Sequence, residues 1–194
     1  MTDSARYHHG NLRPALLARA VEVIEVDGVR DMSLRRIARD LGVSHGAPQR
    51  HFSGKADLLD AVAKQGFTML GEAYAETMRN VGGGDRLTAL AVTYLELSMA
   101  RPELVQLMFT RKHSPVEGMD EAVAEAFRVP LEVIAEEQRR GNLIEGDPEQ
   151  LGIYVVAVLH GLTSLAGAGF ITAESSQSLL ASAAEHLLQG LRPR

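Results

Sequence analysis

The chain has 194 residues, of which 45% are hydrophobic and 23% charged, a composition typical of a globular protein with a buried core. It has no cysteine, which excludes disulfides, thiolate metal sites and cysteine nucleophiles and is typical of a reducing cytoplasm. We find no apolar run near the ~18 residues that a membrane span needs, and no signal-peptide pattern at the N-terminus. The sequence therefore predicts a cytoplasmic protein without a membrane partner.

The net charge of -5 is unevenly distributed along the chain. Residues 28–56 carry six basic side chains against two acidic ones, whereas residues 61–194 carry 11 basic against 17 acidic. A local positive excess in an acidic chain indicates that the early segment meets a polyanion, although the total charge argues superficially against nucleic acid.

Apolar residues recur at helical spacing along nearly the whole chain and strand signals are almost absent, so the sequence predicts an all-α fold. Glycines at 28 and 42 and the run at 82–84 predict helix ends, and Pro130 predicts a kink or a split. In chain order the predicted helices cover residues 12–27, 33–42, 45–51, 54–78, 85–100, 102–112, 118–140, 148–168 and 174–190.

Residues 33–52 have the pattern of a helix-turn-helix. Ser33 is a good N-cap for the first helix, Gly42 ends it, Val43 seals the corner and Ser44 can cap the second helix. The second helix, about 45–51, is poor in large apolar residues, as a helix that lies in a DNA major groove must be. A surface helical hairpin without a ligand is the alternative, but the local positive charge favours DNA binding.

At these positions the sequence resembles the tetracycline-repressor (TetR) family of bacterial regulators. The family pattern reads Val-Ser-x-Gly-x-x-Tyr-x-His-Phe-x-x-Lys-x-x-Leu, and it is met here by Val43, Ser44, Gly46, His51, Phe52, Lys55 and Leu58. Gln49 replaces the family tyrosine, which commonly contacts the DNA backbone; a glutamine can hydrogen-bond a phosphate or an adenine edge instead. The tract 7–13 and Leu159-His160-Gly161 also resemble, in part, a subgroup with Trp-His-Gly in its ligand domain.

The resemblance implies a DNA-binding domain over residues 9–69 and a helical ligand-binding and dimerisation domain over residues 85–194. It further implies that the last two helices form a homodimer and that an effector releases the double-stranded operator, with helix 54–78 as the lever and residues 102–112 against it. Motif and resemblance together assign DNA contacts to Ser33, Arg35, Arg36, Ser44, His45, Gly46, Gln49, Arg50, His51 and Lys55.

For the second domain the sequence gives candidates by residue type. Large or adaptable side chains on its predicted helices are candidates for the effector site, although each taken alone is better explained as core than as a pocket wall: Tyr94, Met99, Met108, Phe109, Phe127, Tyr154 and His160. Because these helices offer few unpaired charges, we expect a small apolar effector. Apolar and small residues of the last two helices are candidates for the dimer interface, with plain core packing as the alternative: Leu159, Leu162, Leu165, Leu180, Ala183 and Leu187.

An enzyme is a poor alternative, because the sequence lacks the common hydrolase, metalloprotease and nucleotide-binding motifs. We therefore expect no catalytic residues, no metal and no cofactor. An adaptor or binding module of the same fold, with weak or no specific DNA binding, is the more serious alternative because of Gln49.

Overall fold

The computed structural model describes residues 12–82, 85–170 and 173–193, and it gives side chains for all of these except 173–181. Within these ranges the chain is helical and has no strand, which confirms the predicted all-α fold. Residues 7–11 of the tract 7–13 lie outside the described part. The helices are α1 (Leu12–Asp31), α2 (Leu34–Asp40), α3 (Lys55–Asn80), α4 (Arg86–Ala100), α5 (Pro102–Arg111), α6 (Met119–Arg139), α7 (Pro148–Gly167) and α8 (Ala173–Gly190).

Helix ends follow the glycine signals, whereas the proline signal misleads. Gly28 has a φ of 79°, so the regular part of α1 stops where predicted even though helical turns resume as far as Asp31. Pro130 lies inside α6, which runs as one helix from Met119 to Arg139, so the predicted split is wrong and the predicted kink stays a prediction. Proline removes one backbone hydrogen bond from a helix, and the packing of an amphipathic face can outweigh that loss.

The chain divides into two compact units, and the division does not follow the chain order. The first unit ends at Gly66 and also takes in Glu103–Met119; the second comprises Phe67–Pro102 and the chain from Asp120 onward. Helix α5 therefore belongs with the N-terminal helices, although we expected residues 85–194 to form a domain of their own. The boundary between the units falls within α3, between Gly66 and Phe67.

Three interactions hold α5 and the segment after it in the first unit. The Glu25 carboxylate accepts a hydrogen bond from the backbone N–H of Leu104 at 2.9 Å, and Lys64 Nζ donates to the carbonyl of Glu117 at 3.1 Å. Arg111 Nη1 lies 3.0 Å from Oδ1 of the buried Asp60. The expectation that residues 102–112 lie against the long helix is thus met within this unit.

The second unit is built on contacts of α4 with α7 and α8. Three buried residues from α6, the loop after it and α7 form one apolar cluster, joined by two partly buried leucines: Ile134, Leu143, Leu151, Leu87 and Leu191. Arg86 at the start of α4 lies 2.8 Å from Glu136 and 2.6 Å from Glu137, which ties α4 to the end of α6.

Helix α7 is long and apolar enough to cross a membrane by length and composition, contrary to our reading of the sequence. One such helix is weak evidence for a membrane protein. Only 11% of that stretch is buried within the chain, so α7 differs from an ordinary core helix, and several of its large apolar side chains are exposed.

We expect Arg111→Met to lower the free energy of unfolding by about 2 kcal/mol, because it leaves the buried Asp60 carboxylate without its ionic partner. Urea unfolding followed by circular dichroism measures the change. Arg128→Met is the matched control, since Arg128 pairs with Glu125 and Glu132 on an exposed helix face and such pairs contribute about 0.5 kcal/mol. Equal losses in the two variants would contradict a structural role for the Arg111–Asp60 pair.

Candidate nucleic-acid interface and effector site

The helix-turn-helix corner is set by backbone geometry at Gly42. Its φ is 66°, its N–H donates to the carbonyl of Arg39 at 3.1 Å, and the N–H of Val43 donates to that of Ala38 at 3.0 Å. These two bonds form a Schellman motif, which ends a helix at a residue of positive φ. At the other end of α2 the Ser33 hydroxyl accepts a hydrogen bond from the Arg36 N–H, so the predicted cap and stop are both confirmed.

The segment that follows, residues 44–51, is called the reader segment here. It is not the predicted helix over 45–51: apart from turns it contains a single 3₁₀ turn, Pro48–Arg50. Proline has no N–H to donate, so a helix through Pro48 would lack one backbone hydrogen bond, although Ala47 before it has helical φ and ψ. The segment is closed by short-range bonds, Ala47 N–H to the Ser44 carbonyl at 2.9 Å and His51 N–H to the Pro48 carbonyl at 3.0 Å.

Two buried side chains anchor the reader segment. Pro48 is buried within it, and Phe52, directly after it, is 1% exposed. The polar side chains between and before these anchors are exposed, and all of them are among the predicted DNA contacts: Ser44, His45, Gln49, Arg50 and His51, with Gly46 likewise exposed. The structure therefore brings the central part of the predicted interface onto one exposed stretch.

Arg13 lies at the base of this stretch and escaped the sequence analysis. Its guanidinium stands 5.1 Å from the centre of the Phe52 ring, in cation–π geometry, and the residue is exposed. The sequence signal for Arg13 is a basic residue in the first turn of the first helix. The family resemblance instead indicates DNA contacts on the later helices.

The remaining basic candidates differ in whether acidic residues of the chain already hold their side chains. Arg35 is exposed, whereas Arg36 lies 2.5 Å from Asp27 and 3.9 Å from Asp40. Arg19 holds the Asp40 carboxylate too, and its hydrogen bond lowers the pKa of Asp40. Arg36 thus belongs to an ionic network inside the first unit, and a DNA phosphate would have to compete with two carboxylates for it.

Lys55 is also engaged with the chain. Its Nζ donates a hydrogen bond to the Arg30 carbonyl at 2.9 Å, near the end of α1, where the helix dipole favours a cation. Lys55 therefore has a structural role in addition to the predicted phosphate contact, because it ties the start of α3 to the end of α1.

The effector candidates belong to both units. Tyr94 and His160 meet, with the Tyr94 hydroxyl 2.9 Å from Nδ1 of His160. The others are dispersed: Met99 and Tyr154 are exposed, Met108 is buried in the first unit against Gly66, Phe109 is half-buried in α5, and Phe127 packs edge-on to Phe67 at 6.4 Å. An apolar residue on a helix can either line a pocket or pack in the core, and the sequence pattern does not distinguish the two.

The Tyr94–His160 pair lies in apolar surroundings. Burial raises the pKa of Tyr94 above its ordinary range, and burial lowers the pKa of His160. Both groups are therefore neutral near pH 7. Ser98, on the same helix as Tyr94, is buried next to the Tyr94 hydroxyl and escaped the sequence analysis, because a single serine in a helix carries no signal of its own.

Of the dimer candidates, some lie on the surface and some do not. Leu159 is 2% exposed and packs inside its own unit, so it is corrected from interface to core. Leu165 is 47% exposed, while Leu162, Ala183 and Leu187 are half-buried; the side chain of Leu180 lies outside the described part. The exposed apolar residues of α7 and the turn after it form what we call the α7 face, made of Ile153, Tyr154, Val158, Leu165 and Phe170.

Comparison with known proteins gives matches over both parts of the chain. The family described as bacterial regulatory proteins, tetR family, matches residues 16–62, and the tetracyclin repressor-like C-terminal domain matches residues 87–190. The HTH-type transcriptional regulator SrpR of Pseudomonas putida is 44% identical over 50 residues. That stretch spans 26% of this chain and 24% of the relative.

Solved structures match over nearly the full length. A protein of unknown function from Rhodococcus sp. RHA1 is 34% identical, with a TM-score of 0.86 over 98% of this chain and 100% of its own. A transcription regulator from Shewanella sp. PV-4, assigned to the tetR family, has a TM-score of 0.70 at 23% identity over 94% of this chain and 98% of its own, a likeness of fold alone. The likeness to the Trp-His-Gly subgroup stays a prediction.

The C-terminal match covers more than half of the chain, and the N-terminal match contains the whole helix-turn-helix described above. These matches identify a regulator rather than an enzyme family. The chain belongs to the TetR family of transcription regulators, with an N-terminal helix-turn-helix DNA-binding domain and a helical C-terminal domain.

Proposed function

We propose that this chain is a homodimeric repressor, which leaves its double-stranded DNA operator when a small, mainly apolar molecule binds to the second unit. The observation that carries the proposal is the reader segment. Its buried anchors, Pro48 and Phe52, turn a continuous set of polar and basic side chains outward, directly after a corner closed by Gly42.

The reader segment offers both kinds of contact that DNA recognition needs. Arg50 carries a permanent positive charge for phosphates or a guanine edge, and Gln49 can make paired hydrogen bonds to an adenine edge. Arg13 and Arg35 are exposed and add positive charge to the same unit. Most of the affinity would come from the charges and most of the specificity from Gln49 and Arg50.

The small size of the reader segment and the exposed apolar surface of α7 both support dimerisation. One 3₁₀ turn spans too few base pairs to specify an operator, whereas a two-fold pair reads two half-sites in successive major grooves. The α7 face supplies an exposed apolar surface that a second copy would cover, and an isologous pair is the common solution for such a face. We assign the face to a protein partner in the cytoplasm rather than to a membrane.

An adaptor of the same fold, with weak or no specific DNA binding, is the second candidate. Two observations favour it: the reader segment lacks a full recognition helix, and Gln49 stands where the family has tyrosine. A salt titration separates the candidates, since DNA binders lose affinity steeply as salt rises. A chain without measurable, salt-dependent binding to any duplex would be the adaptor.

We expect Arg50→Ala to weaken DNA binding about tenfold and to lower the slope of log affinity against log salt by about one, because one phosphate or base contact is lost. Fluorescence anisotropy with a labelled duplex at several salt concentrations measures both. Arg79→Ala is the control, since it removes the same charge from an exposed site in the second unit. Unchanged affinity and slope in Arg50→Ala, or equal losses in both variants, would refute the reader assignment.

We expect Val158→Glu to convert the dimer into monomers, because each copy would then bury an unpaired carboxylate in the middle of the α7 face. Sedimentation velocity measures the mass. Gln106→Glu, which adds a carboxylate to an exposed position of α5, should leave the dimer intact. A monomeric wild-type chain would overturn the proposal of a homodimer, and a dimeric Val158→Glu would show that the α7 face is not the interface.

A further inference from the structure

The second unit has a groove between the last two turns of α3 and the middle of α4. Its volume is about 500 Å³, within the range of small-molecule sites, and one side of it is open to solvent. Both walls belong to the same unit, which takes in α3 from Phe67 onward and the whole of α4. None of the seven effector candidates lines the groove, so it is a separate feature.

Two carboxylates face this groove, one from each wall. Glu76 lines it from α3 and Glu96 from α4, and both residues are exposed. Neither carboxylate forms an ion pair or a hydrogen bond with another residue that the structure describes. No described lysine, arginine or histidine lines the groove. The chain thus leaves this negative charge unbalanced, and a cleft lined by charges of one sign attracts an occupant of the opposite sign.

Two half-buried threonines add hydrogen-bond acceptors to the lining. The hydroxyl oxygens of Thr77 and Thr93 lie 2.6 Å apart, so they join α3 to α4 within the groove. Each hydroxyl can also donate to the carbonyl four residues earlier, to Ala73 at 3.0 Å and to Ala89 at 2.9 Å. The two hydroxyl protons are therefore used within the chain, whereas each oxygen keeps a lone pair. A molecule that binds here gains most by donating hydrogen bonds.

The rest of the lining suits an alkyl chain. Val81, Val92 and Ala89 supply apolar surface, and no described aromatic ring lines the groove. A quaternary ammonium would therefore find no ring face for a cation–π contact, and it has no N–H to donate. Among the described residues no group of three or more acidic, histidine or cysteine side chains is placed to hold a metal ion, so the groove does not suit a bare divalent cation either.

We propose that this groove is a second small-molecule site, which takes a primary ammonium group on an alkyl chain. The ammonium donates its three N–H groups to the two carboxylates and to a threonine oxygen, while the alkyl chain lies against the valines. Glu76 directly precedes Thr77, and Glu96 follows Thr93 by three residues, less than one helical turn, so these acceptors stand close together. The site goes beyond the proposed function, whose effector has other candidate residues.

The first test is a calorimetric titration of the full-length chain with octylammonium and with octyltrimethylammonium. The two probes share their charge and chain length, but only the first has N–H groups. We expect octylammonium to bind at least fivefold more tightly, because only it can donate to the carboxylates and the threonines. Octylammonium that does not bind, or equal affinities for the two probes, overturns the proposal.

A charge variant locates the ammonium. The double change Glu76→Gln with Glu96→Gln should lower octylammonium affinity about tenfold, roughly threefold for each exposed ion pair. Glu72→Gln is the matched control, since it removes a carboxylate from an exposed position of α3 that does not line the groove. Wild-type affinity in the double variant overturns the proposal. An equal loss per charge in Glu72→Gln does so too, because it would show attraction to the acidic chain as a whole.

A filling variant locates the alkyl chain. Ala89→Leu places a larger side chain in the groove and should lower octylammonium affinity at least fivefold, because the two compete for the same space. Ala124→Leu makes the same change at an exposed position of α6 and should bind as the wild type does. Circular dichroism checks that both variants are folded. Wild-type affinity in a folded Ala89→Leu contradicts a site in this groove, whereas a loss confined to it supports the site.

Discussion

The burial of Pro48 and Phe52 is the constraint on which the DNA-facing surface depends. A regular recognition helix holds its side chains in place by its own backbone bonds, but this chain has only one 3₁₀ turn there. The two anchors supply the missing rigidity by packing inward, and as a consequence the polar residues around them face out. The left-handed conformation of Gly42 directs the chain into this arrangement, because a Cβ at that φ would be strained.

The first unit is assembled by long charged side chains that reach the ends of other helices. Glu25 accepts from a free N–H at the start of α5, and Lys55 donates to a carbonyl near the end of α1. Both bonds satisfy backbone groups that a helix leaves unpaired at its ends, and each charge has the sign that the helix dipole favours. In this way α5, distant in sequence, is tied to the helices of the DNA-binding domain.

The second unit divides the apolar residues of α7 between two environments. Leu151 and Leu159 are buried in the core, whereas the residues of the α7 face are exposed. The same helix also carries His160, whose contact with Tyr94 introduces polar groups into the apolar interior. One helix therefore contributes to the core, to the candidate effector site and to the candidate dimer surface.

By itself the sequence determined the all-α class, the cap at Ser33, the stop at Gly42 and the family, because these depend on local backbone chemistry and on a short motif. Tertiary structure decided what local pattern cannot contain. Arg36 is occupied because Asp27, nine residues away, packs beside it, and Leu159 is buried although Leu165 on the same helix is exposed. Helical periodicity predicts that an apolar face is covered, but which neighbour covers it is settled by contacts between residues far apart in the chain.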